Sequence, residues 1–189
     1  MRVRVCFFSI MLFISFFLTE PVFAFSSCCA VILHELGHVF CAKCFDIRLK
    51  EFNIGIYGAG ITPLGSGFSY LHEILLCLSG PFINLVSLPM ALFFYSLTNW
   101  QFCMYLAAAS LVLGAMNLLP IKTFDGGRII HALICSLFSQ KCADTVLNIT
   151  SFTFIFFLWT LSVYTLLLNE SGLSLFVFSI SLFSRFFIE

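Results

Sequence analysis

The chain has 189 residues, of which 61% are hydrophobic and only 10% are Asp, Glu, Lys or Arg. Soluble domains carry about a quarter charged residues, so this composition excludes an ordinary water-soluble surface and makes the lipid bilayer an expected partner. The net charge is zero and the sequence shows no basic stripe, which argues against binding to nucleic acid.

Apolar runs of a length that suits a bilayer follow one another along the chain. We predict an all-α polytopic membrane protein with about six transmembrane helices. They lie near residues 3–19, 22–42, 71–97, 102–119, 146–168 and 172–187. Arg2 and Arg4 before the first run also fit a signal peptide cleaved after Ala24, and either interpretation places residue 25 outside the cell.

The basic residues predict an orientation. With six spans, all nine Lys and Arg residues fall at the N-terminus, in the loops 43–70 and 120–145, or at the C-terminus. Cytoplasmic segments are enriched in Lys and Arg, so we expect both termini in the cytoplasm.

Residues 52–68 do not read as a span. Apolar and polar residues alternate from Phe52 to Ile56, and Gly58-Ala59-Gly60 offers a turn before Ile61 resumes the pattern. This pattern fits either a short β-hairpin at the cytoplasmic face or an irregular glycine-rich loop. A strand within residues 52–64 could bind an extended peptide by strand addition.

His34-Glu35-Leu36-Gly37-His38 is an H-E-x-x-H motif within the second predicted span. Positions i and i+4 share one face of a helix, so both imidazoles can bind one metal ion while Glu35 acts on a water there. Ionisable residues in an apolar span are costly unless they have a function. The alternative is two histidines satisfied by partners in a helix bundle, which leaves Glu35 unexplained.

A catalytic zinc site needs a third protein ligand and an open position for water. Asp125 stands out, because Pro120 and the glycines after Asp125 break the helix and let a carboxylate fold back to the ion. The alternative is that Asp125 caps a helix that begins near Gly126. The other candidate ligands are Asp46, Glu51, His72, Glu73, His131 and Asp144.

Three motifs together resemble the site-2 proteases, polytopic intramembrane zinc metallopeptidases of peptidase family M50. The first is the H-E-x-x-H itself. The others are a Ser-Gly-Pro element with a following Asn, and an Asp-Gly element preceded by Asn and Pro. In this chain they are Ser79-Gly80-Pro81 with Asn84, and Asn117, Pro120 and Asp125-Gly126. They cover about residues 31–131 in the family's order.

The resemblance implies a Zn²⁺ ion held by His34, His38 and Asp125, with Glu35 as the catalytic residue. Asn84 would face the site and bind substrate or the developing oxyanion. The substrate would be a membrane-tethered protein or peptide, hydrolysed in or near its membrane segment.

The length is most similar to the stage IV sporulation protein FB branch, which implies a bacterial cell membrane, a sporulation pro-sigma factor as substrate and inhibitory membrane partners. We expect one transmembrane metallopeptidase domain over 1–189, with no PDZ or CBS domain. Asp46 stands where the family often has glycine, and we expect it at a helix end. The alternative function is a non-proteolytic membrane metal-binding or transport protein that uses the same ligands.

Overall fold

The computed structural model of the chain describes residues 3–5, 20–46, 49–55, 58–63, 69–168 and 173–188. These residues are mainly helical, with one small sheet, in agreement with the predicted fold class. In chain order the elements are β1 (Val3–Val5), α1 (Pro21–Cys44), β2 (Leu49–Gly55), β3 (Gly58–Pro63), α2 (Tyr70–Thr98), α3 (Gln101–Asn117), α4 (Asp125–Leu137), α5 (Gln140–Leu168) and α6 (Leu173–Ile188).

The chain divides into two compact units, Met1–Leu118 and Leu119–Glu189. The first unit contains the sheet and the helices α1 to α3, and the second contains α4 to α6. The prediction of one metallopeptidase domain stays a prediction.

Three described helices are long and apolar enough to cross a membrane: α1, α2 and α5, with 24, 29 and 29 residues. The helices α3 and α6 are apolar but have 17 and 16 residues. At 1.5 Å per residue they span about 25 Å, slightly less than the hydrocarbon core of a bilayer. These helices identify a membrane protein, while the number of passes and the orientation stay predictions.

The first predicted span, residues 3–19, lies mostly outside the described residues. Its first residues differ from the prediction, because Val3–Val5 is a β-strand that pairs in parallel with β2. The alternation of valine and arginine from Val3 to Val5 suits a strand, since β-branched residues pack well on a pleated surface.

Small side chains line the inner face of α3. The buried residues Cys103, Ala107, Ser110 and Gly114 recur every three or four positions, which places them on one side of the helix. Small residues let helix backbones approach closely in a membrane protein. Ser87 of α2 donates a hydrogen bond to the Ser110 hydroxyl at 2.9 Å, and this bond joins α2 to α3.

The sheet has the strand order β1-β2-β3, with β2 in the centre. Strands β2 and β3 pair antiparallel, so the chain forms the hairpin rather than a glycine-rich loop. The predicted turn at Gly58–Gly60 is wrong, because these residues lie in β3 opposite residues 53–55. Glycine weakens the interior of a strand, and β3 lies at the edge of the described sheet, next to β2.

Helix α1 ends at Cys44, and Asp46 follows with a φ angle of 52°. This left-handed conformation favours glycine, although Asp and Asn adopt it more readily than other residues. The helix end therefore accepts Asp46 where the resembling family often has glycine.

Serines and aromatic rings join the helices of the second unit. The buried hydroxyls of Ser162 in α5 and Ser179 in α6 lie 3.0 Å apart. The rings of Phe152 and Phe183 meet edge to face, with centroids 6.2 Å apart. Ser151 of α5 accepts a hydrogen bond from the backbone N–H of Lys122 at 2.9 Å, which fixes the loop before α4 against α5.

Candidate metal centre

One turn of α1 carries three buried ionisable side chains. His34, Glu35 and His38 are 4%, 7% and 6% exposed, whereas Leu36 and Phe40 point outward. This turn of the helix therefore directs its ionisable side chains toward the protein and the side chains of Leu36 and Phe40 away from it. This arrangement is the one expected for functional polar groups in a membrane bundle.

The two imidazoles present the same ring atom to each other. The Nε2 atoms of His34 and His38 lie 3.2 Å apart. Two nitrogen ligands on a tetrahedral zinc ion, each at 2.0–2.1 Å from the metal, are about 3.3 Å apart. The two Nε2 atoms thus have the separation that a shared zinc ion requires, so the histidine pair fits a zinc site.

A backbone carbonyl of α2 settles the tautomer of His38. The Nδ1 atom of His38 lies 2.7 Å from the Leu76 carbonyl oxygen, which can only accept a hydrogen bond. Nδ1 therefore carries the proton, and Nε2 keeps its lone pair for a metal. The Ser79 hydroxyl donates to the same carbonyl at 2.6 Å, so the acceptor is itself held in place.

Two glycines allow α1 and α2 to approach at the imidazoles. A Cβ atom on Gly80 would lie 2.5 Å from His38 Nε2, and one on Gly37 would lie 2.5 Å from the Ser79 carbonyl oxygen. Any side chain at Gly80 would push the rings apart. The sequence prediction assigned no role to either glycine, although both lie inside the recognised motifs.

Asn84 of α2 contacts His34. The side chain is completely buried, and its Nδ2 atom lies 3.1 Å from His34 Nδ1. The Oδ1 atom is buried and has no hydrogen-bond partner among the described residues. The expected role of Asn84 in binding substrate or an oxyanion stays a prediction.

Asp125 is the first residue of α4 in the second unit. The cap position belongs to Phe124, so the alternative in which Asp125 caps this helix is wrong. Asp125 is half-buried, with its Oδ2 atom buried, and the positive end of the helix dipole stabilises its carboxylate. A Cβ on Gly127 would collide with the Ile121 carbonyl, so the loop before α4 folds tightly against its first turn.

Other candidate ligands have different surroundings. The His72 ring packs on Phe45 with centroids 5.1 Å apart. His131 Nε2 lies 3.0 Å from Asp144 Oδ1 and joins α4 to α5 near the surface. Both rings therefore contact residues other than the histidine pair.

Known proteins resemble both the sequence and the fold. Peptidase family M50 matches residues 94–161, a stretch that contains Asn117 and Asp125. A zinc metalloprotease from Methanocaldococcus jannaschii is 25% identical over 166 residues, which are 85% of this chain and 46% of that protein. The chain therefore spans about half the length of this curated relative.

The solved structure of the site-2 protease from Methanocaldococcus jannaschii has a TM-score of 0.76 to this chain at 16% identity. The match covers 99% of this chain and 89% of that one, which shows a common fold. The sequence comparisons thus show similarity to peptidase family M50 and to a zinc metalloprotease, and the structure comparison shows the shared fold.

Proposed function

We propose that the chain is a zinc metalloprotease of the site-2 protease type, which hydrolyses a peptide bond in or near the membrane segment of a substrate protein. The observation that carries the proposal is the buried histidine pair, with Nε2 atoms 3.2 Å apart and Glu35 on the same turn. The family comparisons support the same activity.

The proposed ligands are His34, His38 and Asp125. Two imidazoles and one carboxylate form a donor set that suits zinc and leaves a fourth position for water. The assignment of Asp125 is supported by the resemblance of its Asp-Gly element to the family motif. Its place in the first turn of α4 also favours the anionic form that a metal ligand needs.

Bound zinc supplies Lewis-acid activation of a water and of the scissile carbonyl. Glu35 accepts the proton of the attacking water and later delivers it to the nitrogen of the leaving amine. Its burial on the same helical turn as His34 would keep the carboxylate beside a metal held by the histidine pair and away from bulk water.

We further propose that the substrate binds to β3. A helical substrate hides its amides, so it must unwind before attack, and unwound backbone in lipid needs hydrogen-bond partners. Among the described strands β3 pairs with β2 alone, so its other edge can receive an extended peptide. Cleavage that survives replacement of β3 by a glycine-serine linker would contradict this role.

The narrower proposal for the substrate is a membrane-tethered sporulation pro-sigma factor, held by inhibitory membrane partners. It is supported by the resemblance to the sporulation branch in length and motifs. Anti-sigma factors and leftover signal peptides are the competing substrates. Cleavage of one of these, with the pro-sigma factor left intact, would contradict the narrower proposal only.

The decisive experiment combines the protein with a panel of single-span substrates and compares wild type with Glu35→Gln. We expect cleavage by the wild type and a rate about 10³-fold lower in the variant, with zinc retained in both. Glu73→Gln is the matched control at the start of α2 and should cleave normally. Asp125→Asn should lose zinc as well as cleavage, which separates a ligand from the base.

Two outcomes would contradict the proposed function. One is a zinc-loaded wild type that cleaves none of the panel, and the other is a Glu35→Gln variant that cleaves at the wild-type rate. Metal transport that survives Glu35→Gln would instead identify the non-proteolytic alternative.

A further inference from the structure

The two histidines of the pair differ in what holds their second ring nitrogen. A metal-binding imidazole gives one nitrogen to the ion and carries its proton on the other. For His38, the Leu76 carbonyl fixes that proton on Nδ1. For His34, the atom opposite Nδ1 belongs to the side-chain amide of Asn84, which has one donor end and one acceptor end.

The donor end of Asn84 faces His34 in the structure. With Nδ2 donating to Nδ1 at 3.1 Å, the proton of a neutral His34 lies on Nε2 and points at the lone pair of His38 Nε2, 3.2 Å away. In this arrangement each of the two contacts has one donor and one acceptor. This arrangement cannot bind a metal through His34 Nε2, because that nitrogen has no lone pair to offer.

Rotation of the Asn84 side-chain amide by half a turn would free the lone pair of His34 Nε2 for a metal. It would place Oδ1 opposite Nδ1, where it accepts the proton of the other tautomer. Nothing in the described part of the chain holds Oδ1 by a hydrogen bond in its present position, so the turn breaks no bond there. Asn84 is completely buried, and water therefore cannot take over this role.

We propose that Asn84 is a positioning residue that selects the metal-binding tautomer of His34. When a metal binds, His34 Nε2 gives up its proton, Nδ1 takes one up, and the Asn84 amide turns so that Oδ1 accepts it. The inference rests on the proposed function, because it requires a metal at the histidine pair.

Both second hydrogen bonds come from α2, at positions about two helical turns apart. One acceptor is the main-chain carbonyl of Leu76 and the other is the side chain of Asn84. Only the second can be removed by substitution, so Asn84 is the position at which this orienting role can be tested.

The test measures zinc affinity of the full-length protein in detergent by competition with a chelator. Asn84→Leu has a similar size and no acceptor, so its affinity should be about 10–100-fold weaker than that of the wild type. Asn84→Asp keeps an oxygen opposite His34 Nδ1 and should stay within roughly threefold of the wild type. Ser87→Ala is the control and should keep the wild-type affinity. The Ser87 hydroxyl donates to the main-chain carbonyl of Asn84 and to the Ser110 hydroxyl, and neither contact involves an imidazole.

Loss of affinity in Asn84→Leu with recovery in Asn84→Asp supports the proposal. Equal losses in both variants would assign the effect to packing and overturn it, as would an Asn84→Leu variant with wild-type affinity. A wild type that binds no zinc would overturn the proposed function together with this inference. A zinc affinity that is the same in the wild type and in both Asn84 variants would overturn this inference and leave the proposed function intact.

A second measurement needs no variant. In wild-type protein labelled with ¹⁵N-histidine, addition of zinc should produce a His34 signal with Nε2 bound to metal and Nδ1 protonated. A signal with Nδ1 bound to metal would overturn the proposal, even if Asn84→Leu failed to fold.

Discussion

The two units of the chain differ in the polar side chains that they bury. The first unit buries Ser26 and Ser110, and in addition two imidazoles, a carboxylate and an amide around one turn of α1. Among the described residues of the second unit, the buried polar side chains are Ser151, Ser162 and Ser179. These serines bond to backbone atoms or to one another, and such contacts join helices.

This difference distinguishes buried groups that have a chemical function from buried groups that hold helices together. Buried ionisable groups are expensive in a membrane protein unless they have a function, whereas a buried serine is satisfied by a carbonyl of its own helix. Substitutions beside the histidines should therefore remove zinc and leave the fold intact. Substitutions between α5 and α6 should lower stability and leave zinc binding intact.

The largest effect is expected for Gly80→Ala. Its Cβ would lie 2.5 Å from His38 Nε2, so the imidazole must move and zinc affinity should fall by about 100-fold, with loss of cleavage. Zinc content by atomic absorption measures the change. The control is Gly114→Ala, whose Cβ would lie at an ordinary 3.4 Å from the Asn84 Cβ. A fully zinc-loaded Gly80→Ala variant would contradict the site geometry.

An intermediate effect on zinc affinity is expected for Gly127→Ala. This variant tests whether the second unit contributes Asp125 to zinc binding. Its Cβ would collide with the Ile121 carbonyl, so the loop before α4 must shift together with Asp125. Stability should fall by about 1–3 kcal/mol, and zinc affinity by about tenfold.

Unfolding in a denaturing detergent and chelator competition measure these two effects. Ser136→Ala on the exposed face of α4 is the control and should change neither quantity. A Gly127→Ala variant with reduced stability and unchanged zinc affinity would speak against Asp125 as a ligand.

The smallest effect is expected for Ser162→Ala. It removes the hydroxyl contact with Ser179, and polar contacts between membrane helices contribute about 0.6 kcal/mol on average. Stability should fall by about that amount with zinc affinity unchanged. A double-mutant cycle with Ser179→Ala isolates the pair. A loss of zinc in either serine variant would break the distinction between the units.

Local patterns in the sequence were sufficient to predict those parts of the site that lie within a single helix. The i, i+4 spacing of His34 and His38 follows from the helical period, so a single helix places both rings on one face. Mean hydropathy identifies α1, α2 and α5 in the same way. The hairpin followed from alternation, but its turn did not, because glycines occur both in turns and in β3.

The contacts that orient the histidines could not be predicted from sequence. The bond from His38 to Leu76 joins residues 38 positions apart, and that from His34 to Asn84 joins residues 50 apart. Both depend on how α1 crosses α2, and the crossing depends on the absence of side chains at Gly37 and Gly80. Such contacts between distant segments produce no periodic pattern in the sequence of either helix, so the sequence does not predict them.

The carbonyl of Leu76 has a consequence for redesign of the centre. A main-chain acceptor is present whatever amino acid occupies position 76, so substitution of Leu76 leaves the acceptor for His38 Nδ1 in place. The side-chain partner of His34 Nδ1 is instead encoded by a single codon, at position 84. Natural variation and laboratory evolution can therefore change the hydrogen-bond partner of one imidazole while the imidazoles themselves stay the same.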